Sequence, residues 1–489
     1  MSIKFGTEGW RAVIAEEFTA DNVRVVTQAV AEHLLVRQQS RRGAGKALTV
    51  AVGHDTRFLS DYFARAVCEV LAANRIQSVL TDRMVPTCAV SRYVVAKRLS
   101  AGIMITASHN PGIYNGFKVK EAYGGSATPE TVASIERRLG RSPVRRVVFD
   151  DAVKAHTVQM ANLLPLFLKG IASFIDLSAI RRVPFRVIVD SMHGTGERLI
   201  EGLLNGGRCR VETIRAETDP LFGGEAPEPI ASHLRELQVA VRRRRADVGI
   251  ANDGDADRVG IIDPDGRWLN PGQVMCILLL HLVKNRGAKG AVVKTVSNTM
   301  MINRVAESLG LRLVEVPVGF KHIAKLMRED DILIGGEESG GIGLTGYLPE
   351  RDGILNGLLL LEAMASRRQR LSAILRDLER QYGQWCYGRR DLHLKLPQVE
   401  HLFKRLKTSP PHDLAGIPVA TVHTLDGVKL IGRDESWLLF RRSGTEPIVR
   451  IYAETTQQRR LPRLLDFGVR LTNITPQRGR AIPSRVRSR

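Results

Sequence analysis

The chain of 489 residues contains few cysteines and few aromatic residues. The five cysteines are scattered and odd in number, which favours reduced thiols in a cytoplasm over a disulfide framework or a zinc cluster. Aromatic residues make up only 5% of the chain and are not interleaved with basic residues, so the sequence offers no support for base stacking. These shortages argue against a secreted disulfide scaffold and against a single-strand nucleic-acid binder.

Long hydrophobic runs are also missing. The most apolar stretch, Val274 to Leu280, is far shorter than the about 20 residues that a membrane span requires. Lys4 and Glu8 interrupt the N-terminus before the apolar core of a signal peptide can form. We therefore expect a cytoplasmic protein without a membrane partner.

Acidic residues are outnumbered by basic ones, 51 to 72, which gives a formal charge of +21. Hydrophobic residues make up 44% of the chain, enough for substantial cores, so a wholly disordered basic protein is excluded. At about 150 residues per domain the length predicts three or four domains. The charge by itself fits a nucleic acid, an anionic small substrate or an arginine-rich surface.

Strand-like and helix-like segments alternate along most of the chain. From residue 47 the pattern reads βαβαβ, and a similar alternation recurs from 185 and from 291, which predicts parallel sheets with helical crossovers. The last quarter reads as antiparallel strands. The sequence thus predicts an α/β fold: three consecutive α/β domains with mixed, mostly parallel sheets, then a C-terminal α+β domain. The predicted bounds are 1–152, 153–264, 265–385 and 386–475, followed by a disordered basic tail at 476–489.

Ser108 lies in the motif TASHNP (106–111), directly after a predicted strand. Open α/β sheets bind ligands at the carboxyl ends of their strands, so Ser108 is a candidate nucleophile or phosphate carrier. A turn rich in Ser, Asn and Pro is the alternative. A hydrolase triad is less favoured, because no G-x-S-x-G elbow surrounds Ser108.

Three aspartates alternate with small residues in DGDADR (253–258), between two strand-like segments. Asp253, Asp255 and Asp257 can converge on a hard cation such as Mg²⁺. An EF-hand is excluded, because Arg258 and Pro264 stand where that loop needs glycine and glutamate. A solvated acidic turn stays open, but so dense a cluster of like charge is costly unless it is neutralised.

Two further loops offer groups suited to a sugar phosphate. GEESGG (336–341) presents Glu337 and Ser339, an acceptor and a hydroxyl for sugar hydroxyl groups, although a flexible glycine-rich turn is an equal alternative. RRSGTEP (441–447) offers guanidinium, hydroxyl and backbone N–H donors that match a phosphate dianion. An ordinary hairpin turn is the alternative for this second loop.

Three other patterns fail on inspection. The segment 41–46 lacks the first glycine and the final hydroxyl residue of a P-loop, and Leu199 stands where a dinucleotide fingerprint after residue 194 needs its third glycine. The basic run 242–245 is better interpreted as a solvated helix face than as a nucleic-acid site.

The four loops occur in order, one in each predicted domain, and GTEGWR stands near the N-terminus at 6–11. In these motifs the chain resembles the α-D-phosphohexomutase superfamily, which includes the phosphoglucomutases and phosphomannomutases. The resemblance runs from residue 6 to about residue 452. It implies four domains around a central cleft, with one loop contributed by each domain.

The resemblance also implies roles for individual residues. Ser108 carries a phosphoryl group, and its oxygen joins Asp253, Asp255 and Asp257 as ligands of Mg²⁺. Glucose 1,6-bisphosphate serves as intermediate and activator. Lys118 is the first choice for proton transfer and His109 the second, with Arg11 near the phosphoserine. The expected substrate contacts are Arg258, Lys321, Glu337, Ser339, Arg351, Arg441, Ser443, Gly444 and Thr445.

Two departures from the family pattern affect substrate choice and chemistry. Arg351 stands where phosphoglucomutases often have lysine, and because arginine stays charged we expect it to contact substrate without acting as an acid. Gly341 stands where dual-specificity enzymes often have histidine, which leaves mannose use open. Glu338 and Gly341 argue against glucosamine phosphate, since mutases for that sugar typically read EQSGH here.

The leading hypothesis is therefore a Mg²⁺-dependent phosphohexomutase that interconverts glucose 1-phosphate and glucose 6-phosphate. A phosphomannomutase or a dual-specificity enzyme is the alternative, and a phosphoglucosamine mutase or a phosphatase is less favoured. A basic nucleic-acid-binding protein on a mutase scaffold rests only on the +21 charge and the five arginines of the tail. We expect a monomer or homodimer whose main partner is a hexose phosphate.

Overall fold

The computed structural model describes residues 3–6, 8–39, 47–442 and 448–472. The chain divides into two compact units, Met1–Tyr382 and Gly383–Arg489. The tail predicted to be disordered, 476–489, lies outside the described residues. Within the described ranges, no helix combines the length and apolarity needed to cross a membrane.

The first sheet of the larger unit has six strands. Its elements are β1 (Trp10–Val13), α1 (Ala20–Gln39), β2 (Thr49–His54), α2 (Ser60–Ala73), β3 (Gln77–Thr81), α3 (Thr87–Lys97), β4 (Ala101–Ile105), β5 (Tyr114–Glu121), α4 (Pro129–Glu136), α5 (Phe149–Lys154) and β6 (Val158–Ala161). The strand order is β1-β5-β4-β2-β3-β6, with β5 antiparallel to both of its neighbours and the pairs from β4 to β6 parallel. Every residue of β4 is buried, as expected for a strand with helices packed against it.

The second sheet has five strands in the order β11-β10-β9-β7-β8. Its elements are α6 (Leu164–Phe174), α7 (Leu177–Arg182), β7 (Arg186–Asp190), α8 (Leu199–Leu204), β8 (Arg210–Ile214), α9 (Arg235–Arg244), β9 (Val248–Asn252), β10 (Val259–Ile262) and β11 (Trp268–Leu269). A 3₁₀ turn covers Phe222–Gly224. All residues of β9 and β10 are buried, and these two strands flank the three aspartates.

The third sheet has four strands in the order β13-β12-β14-β15. Its elements are α10 (Pro271–Lys284), β12 (Ala291–Thr295), α11 (Met301–Ser308), β13 (Leu313–Val316), α12 (Phe320–Glu329), β14 (Ile332–Gly336), β15 (Ile342–Leu344), α13 (Gly353–Arg367) and α14 (Leu371–Tyr382). Helix α10 begins with a capping box between Asn270 and Gln273, and α13 is N-capped by Asp352, whose side chain accepts from Leu355 N.

One topology recurs in all three sheets. Three parallel strands are joined by helices, the third lies beside the first, and an antiparallel strand follows on the far side of the third. The loops 106–113, 253–258 and 337–341 connect that third strand to its antiparallel neighbour in the first, second and third sheets. The three predicted α/β domains are confirmed, and the repeat explains why each carries one candidate loop.

The smaller unit is an antiparallel sheet with two helices. Its elements are β16 (Cys386–His393), α15 (Leu396–Thr408), β17 (Val419–His423), β18 (Val428–Gly432), β19 (Trp437–Arg442), β20 (Ile448–Thr455), a 3₁₀ turn (Gln458–Arg460) and α16 (Leu461–Leu471). The order is β16-β20-β19-β18-β17, and all pairs are antiparallel. Apolar residues of the strands and of both helices form its core. The predicted C-terminal α+β domain is confirmed.

The predicted domain bounds stay predictions. The first bound was placed at residue 152, whereas β6 lies beyond it and pairs with β3 of the first sheet. No sequence pattern predicted β16, which pairs along its whole length with β20.

Candidate active site

Ser108 is buried at the carboxyl end of β4, and its backbone adopts the left-handed conformation with a φ of 55°. Its amide donates to Thr106 Oγ1 over 2.9 Å. Its hydroxyl donates to Asp253 Oδ2 over 2.9 Å. The loop of the first sheet therefore meets the loop of the second sheet at the predicted nucleophile.

Asp253, Asp255 and Asp257 are buried and converge as predicted. One carboxylate oxygen of each lies within 4.8 Å of one from each of the others. The loop can come this close to the first sheet because residue 254 is glycine, where a Cβ would lie 2.6 Å from the carbonyl oxygen of Ser108. The glycine is thus required by the close approach of two backbones.

Two cations from other elements neutralise the aspartates. Lys118, on β5, places Nζ 2.7 Å from Asp255 Oδ2 and 3.1 Å from Asp257 Oδ2. Arg351 places Nη2 2.6 Å from Asp257 Oδ2. The sequence predicted that the dense negative charge of the aspartates needs neutralising. Within the described residues, Lys118 and Arg351 supply part of the neutralising positive charge.

The buried charges shift one another's pKa values. Burial and the neighbouring carboxylates of Asp257 and Asp255 raise the pKa of Asp253 well above its usual range. For Asp255, burial is outweighed by the Lys118 ammonium, and the pKa is lowered. Burial opposes the charge of Lys118, but Asp255 and Asp257 outweigh it and raise the pKa of the ammonium. Lys118 is therefore a cation at neutral pH.

The three aspartates fit a divalent cation. In the described part of the chain, Asp255 Oδ1 and Asp257 Oδ1 are buried without a hydrogen-bond partner. Buried carboxylate oxygens without donors are costly, and they are the ligands that Mg²⁺ prefers. The donor set consists entirely of oxygen, which favours a hard cation over zinc or copper.

Glu337 brings the loop of the third sheet into the same cluster through Arg351. Arg351 Nη1 lies 3.1 Å from Glu337 Oε2, and Nη2 also pairs with Glu8 Oε2. Burial raises the pKa of Glu337 to about 7, against the attraction of Arg351. For Glu8, burial is outweighed by the charges of Arg351 and Lys118, which lower its pKa to about 2. Arg351 thus joins three acidic segments of the larger unit.

His109 lies beside Ser108, and the cations Arg258 and Arg11 lie close enough to His109 to act on its charge. His109 Nδ1 lies 3.4 Å from Ser108 Oγ, and burial together with the cations Arg258 and Arg11 holds the pKa of His109 well below its usual value. Arg11 Nη1 donates to Asn110 Oδ1 over 2.6 Å. Arg258 is anchored by its backbone amide, which donates to Asp253 Oδ1 over 3.0 Å. His109 is therefore a neutral imidazole next to the hydroxyl.

The remaining predicted residues are the expected contacts with the sugar and with the phosphate that does not react. Lys321 lies in the first turn of α12 and Ser339 in the loop of the third sheet, and both are half-buried. Arg441 belongs to the smaller unit, where its Nε lies 2.7 Å from Asp426 Oδ2. Ser443, Gly444 and Thr445 lie outside the described residues. Their predicted roles as substrate contacts stay predictions, as does that of Arg351.

Comparison with known proteins decides the family. Models of the phosphoglucomutase/phosphomannomutase α/β/α domains I, II and III match residues 2–143, 165–266 and 270–382, in chain order. The chain belongs to this family. It is a phosphohexomutase, and therefore an isomerase, within the α-D-phosphohexomutase superfamily predicted from its motifs.

Relatives of this phosphohexomutase carry different names. A phosphoglucomutase from Komagataeibacter xylinus is 29% identical, over 93% of this chain and 87% of the relative. A phosphoglucosamine/phosphogalactosamine mutase from Sulfurisphaera tokodaii is also 29% identical, over 93% of this chain and 95% of the relative. The crystal structure of a "putative phosphomannomutase" from Thermus thermophilus superposes with a TM-score of 0.83 at 35% identity, over 97% of this chain and 99% of that one. The names agree on the reaction type and differ in the sugar.

Sequence reasoning missed three residues of this phosphohexomutase site. Glu8 belongs to a motif that was noted but was given no role. Thr87, which opens α3, donates its hydroxyl to Asp255 Oδ2. Arg57 binds the backbone of the Ser108 loop. The position of Arg57 directly after a parallel strand was a usable signal, because that edge of the sheet was already predicted to face the site.

Proposed function

We propose that this phosphohexomutase interconverts glucose 1-phosphate and glucose 6-phosphate through a phosphoserine at Ser108 and a glucose 1,6-bisphosphate intermediate. The observation that carries the proposal is the contact of Ser108 Oγ with Asp253, beside two carboxylate oxygens that lack donors. A serine hydroxyl that contacts carboxylates able to bind a divalent cation suits phosphoryl transfer, in which positioning and charge neutralisation supply most of the catalysis.

Asp253, Asp255 and Asp257 would hold Mg²⁺, together with an oxygen of the phosphoryl group on Ser108. A bound Mg²⁺ supplies charge neutralisation for the phosphoryl group. Lys118 and Arg351 already pair with the same aspartates, so these two cations fix the carboxylates in place. A phosphomannomutase would use the same arrangement, so this part of the proposal is independent of the sugar.

Phosphoryl transfer to the sugar forms an O6–P bond and breaks the Oγ–P bond of Ser108. The sugar hydroxyl loses a proton, and Ser108 Oγ regains one when it leaves. Lys118 is the ammonium inside the aspartate cluster, with Nζ 2.7 Å from Asp255 Oδ2, although its raised pKa opposes release of a proton. His109 is neutral, and its Nδ1 lies 3.4 Å from Ser108 Oγ, which suits accepting the hydroxyl proton in the reverse step, when Ser108 Oγ forms its bond to phosphorus and the sugar oxygen leaves and regains a proton. We assign Lys118 as the first candidate for proton transfer and His109 as the second.

Glu337 and Ser339 would bind the sugar hydroxyls. Arg351 Nη1 fixes one oxygen of Glu337, Oε2, at 3.1 Å. In the same loop, Glu338 Oε2 accepts from Thr295 Oγ1 over 3.1 Å, so its carboxylate is held against β12. Glu338 and Gly341 support glucose over glucosamine, since glucosamine phosphate mutases typically have glutamine and histidine there. By the same resemblance, Arg441 and residues 443–445 would bind the phosphate that does not react.

The deciding experiment compares initial rates on glucose, mannose and glucosamine 1-phosphates, with Mg²⁺ and a trace of the matching 1,6-bisphosphate. We expect glucose 1-phosphate to be converted fastest. A faster rate on mannose 1-phosphate would favour the phosphomannomutase alternative, and a faster rate on glucosamine 1-phosphate would overturn the sugar assignment. Release of free phosphate faster than isomerisation would indicate a phosphatase.

Two other expectations accompany the proposal. The cytoplasmic location and the monomeric or homodimeric state stay predictions. The nucleic-acid alternative predicts salt-sensitive DNA binding that disappears when residues 476–489 are deleted, in a protein that isomerises none of the three sugars. Isomerase activity that survives this deletion would favour the phosphohexomutase proposal.

A further inference from the structure

The loop that carries Ser108 (106–113, the Ser108 loop) packs around the side chain of Arg57, which is buried in the segment between β2 and α2. Three backbone carbonyls of this loop, and that of Tyr114 at the start of β5, accept from the guanidinium. Nη1 donates to Pro111 O over 2.8 Å and to Tyr114 O over 2.9 Å, and Nη2 donates to Ser108 O over 2.7 Å and to Asn110 O over 2.6 Å. Both ends of the loop are therefore tied to a single side chain.

Arg57 is itself held rigidly. Asp55 Oδ2 accepts from Arg57 Nε over 3.1 Å, and Asp55 Oδ1 accepts from the Arg57 amide over 3.0 Å and from Ser60 Oγ over 2.7 Å. The guanidinium carbon also lies 4.8 Å from the centre of the Phe222 ring. All five N–H donors of the guanidinium are thus engaged, and the side chain is fixed before any ligand binds.

The loop needs such a tether because its conformation is unfavourable by itself. Ser108 has a φ of 55°, in the left-handed region that L-residues other than glycine rarely adopt because it is strained. The carbonyl oxygen of Ser108 is packed against Gly254, and buried carbonyls require donors. A charged guanidinium provides stronger hydrogen bonds than a neutral donor, and it offers several in one plane.

We propose that Arg57 is a positioning residue that holds the Ser108 loop in the conformation from which the serine hydroxyl reaches Asp253. Arg57 contacts no reacting atom, since its donors are used on backbone carbonyls and on Asp55. The consequence for catalysis rests on the proposed function, because it assumes that Ser108 carries the phosphoryl group.

Arg57→Lys is the informative variant, because lysine keeps the charge but has three donors at one point and cannot bind four carbonyls. We expect kcat for glucose 1-phosphate to fall by about 100-fold, as displacement of a reacting group by about 1 Å can do, while KM changes by less than about threefold. Arg57→Ala is the second variant, with a larger fall in kcat. Arg65→Lys is the control. Arg65 lies on α2 with an exposed side chain, and its Nη2 lies 3.8 Å from Oδ2 of the equally exposed Asp61, so its replacement should not affect the Ser108 loop.

Amide hydrogen exchange separates positioning from general destabilisation. In Arg57→Lys we expect faster exchange for the amides within residues 108–114, where Pro111 has no amide hydrogen, with the buried amides of β2 and β4 unchanged. A kcat for Arg57→Lys within about threefold of the unmodified chain would overturn the proposal. Exchange at 108–114 that matches the control would overturn it as well, as would a uniform rise in exchange across the first sheet.

Failure of the proposed function gives a different result. In that case the unmodified chain would isomerise none of the three sugar phosphates, and kinetics would say nothing about Arg57. The exchange measurement uses no substrate, so it still decides whether Arg57 holds the loop. Selective loss of protection at 108–114 would then support the tether, and unchanged protection would overturn it.

Discussion

Ser108 Oγ donates a hydrogen bond of 2.9 Å to Asp253 Oδ2, although the two residues lie 145 positions apart and on different sheets. Each occupies the same topological place, the loop that follows the third parallel strand of its sheet. The corresponding loop of the third sheet carries Glu337. One repeated topology therefore supplies three different groups to one site: a hydroxyl, a cluster of three aspartates and the carboxylate of Glu337.

The first prediction concerns the serine itself. Ser108→Ala should reduce kcat for isomerisation of glucose 1-phosphate by more than about 10³-fold, because the proposed phosphoryl carrier is removed. The assay contains Mg²⁺ and a trace of glucose 1,6-bisphosphate. Ser134→Ala, in helix α4 of the same domain, is the matched control and should retain activity. Activity of Ser108→Ala close to that of the unmodified chain would rule out the phosphoserine mechanism.

The second prediction concerns the cation. Asp257→Asn should weaken Mg²⁺ binding by more than about tenfold in isothermal titration, because it removes one charged ligand from the cluster. Chelation with EDTA should abolish isomerisation in the unmodified chain, and added Mg²⁺ should restore it. Asp265→Asn is the control, since this aspartate lies in an exposed turn of the same domain. Equal Mg²⁺ affinity in the two variants would contradict the assignment.

Much of this site could be predicted from sequence, because its loops are local. A strand followed by small residues, carboxylates or a hydroxyl can be recognised in a sequence segment of about ten residues. The carboxyl ends of parallel strands share one edge of a sheet. The convergence of Asp253, Asp255 and Asp257 was predicted in this way, and the structure shows it. The antiparallel strands β1, β5 and β15 were missed; β1 and β15 have only four and three residues, too few to show a strand pattern.

The partners of Arg351 could not be predicted by the same reasoning. Sequence led us to expect a substrate contact, whereas its guanidinium pairs with Glu8, Asp257 and Glu337. These acids lie 343, 94 and 14 positions away from it in the chain. No local pattern encodes such pairs, since they exist only when the N-terminal segment and two loops have already met. The position of Arg57 after β2 signalled the site, but its contacts could not be predicted, because the carbonyls that it binds lie 51 to 57 positions away.

The third prediction concerns Gly341 and Arg351. A Cβ at position 341 would overlap Arg351 Cδ, so Gly341→Ala should displace the arginine and lower kcat/KM by about tenfold or more. Arg351→Ala removes the overlapping atoms, so adding Gly341→Ala to it should have little further effect. A double-mutant cycle on kcat/KM measures this coupling. Gly202→Ala, where a Cβ would meet open space, is the control. Fully additive losses would mean that the two positions act independently.

The fourth prediction concerns Glu362, which links α13 to two neighbouring helices. Its carboxylate accepts from His281 Nε2 over 3.0 Å, from Arg286 Nε over 2.8 Å and from Asp176 N over 2.9 Å. Burial opposes its charge, but these partners lower its pKa to about 2 from an ordinary value of 4.5. A lowered folded-state pKa stabilises the protein above pH 4.5, and this stabilisation is lost as the pH falls toward 2.

Glu362→Gln should therefore reduce the free energy of unfolding by about 2 kcal/mol or more at pH 7, because a neutral amide replaces the charged carboxylate that its partners bind. The difference in the free energy of unfolding between the variant and the unmodified chain should narrow as the pH is lowered from 4.5 toward 2, because protonation of Glu362 removes the same charge from the unmodified chain. Urea denaturation at several pH values measures this gap. Glu329→Gln, whose exposed side chain lies 4.0 Å from Lys325, should show almost no gap at any pH. A gap for Glu362→Gln that stays constant between about pH 7 and about pH 3 would show that shape, and not charge, makes Glu362 stabilising.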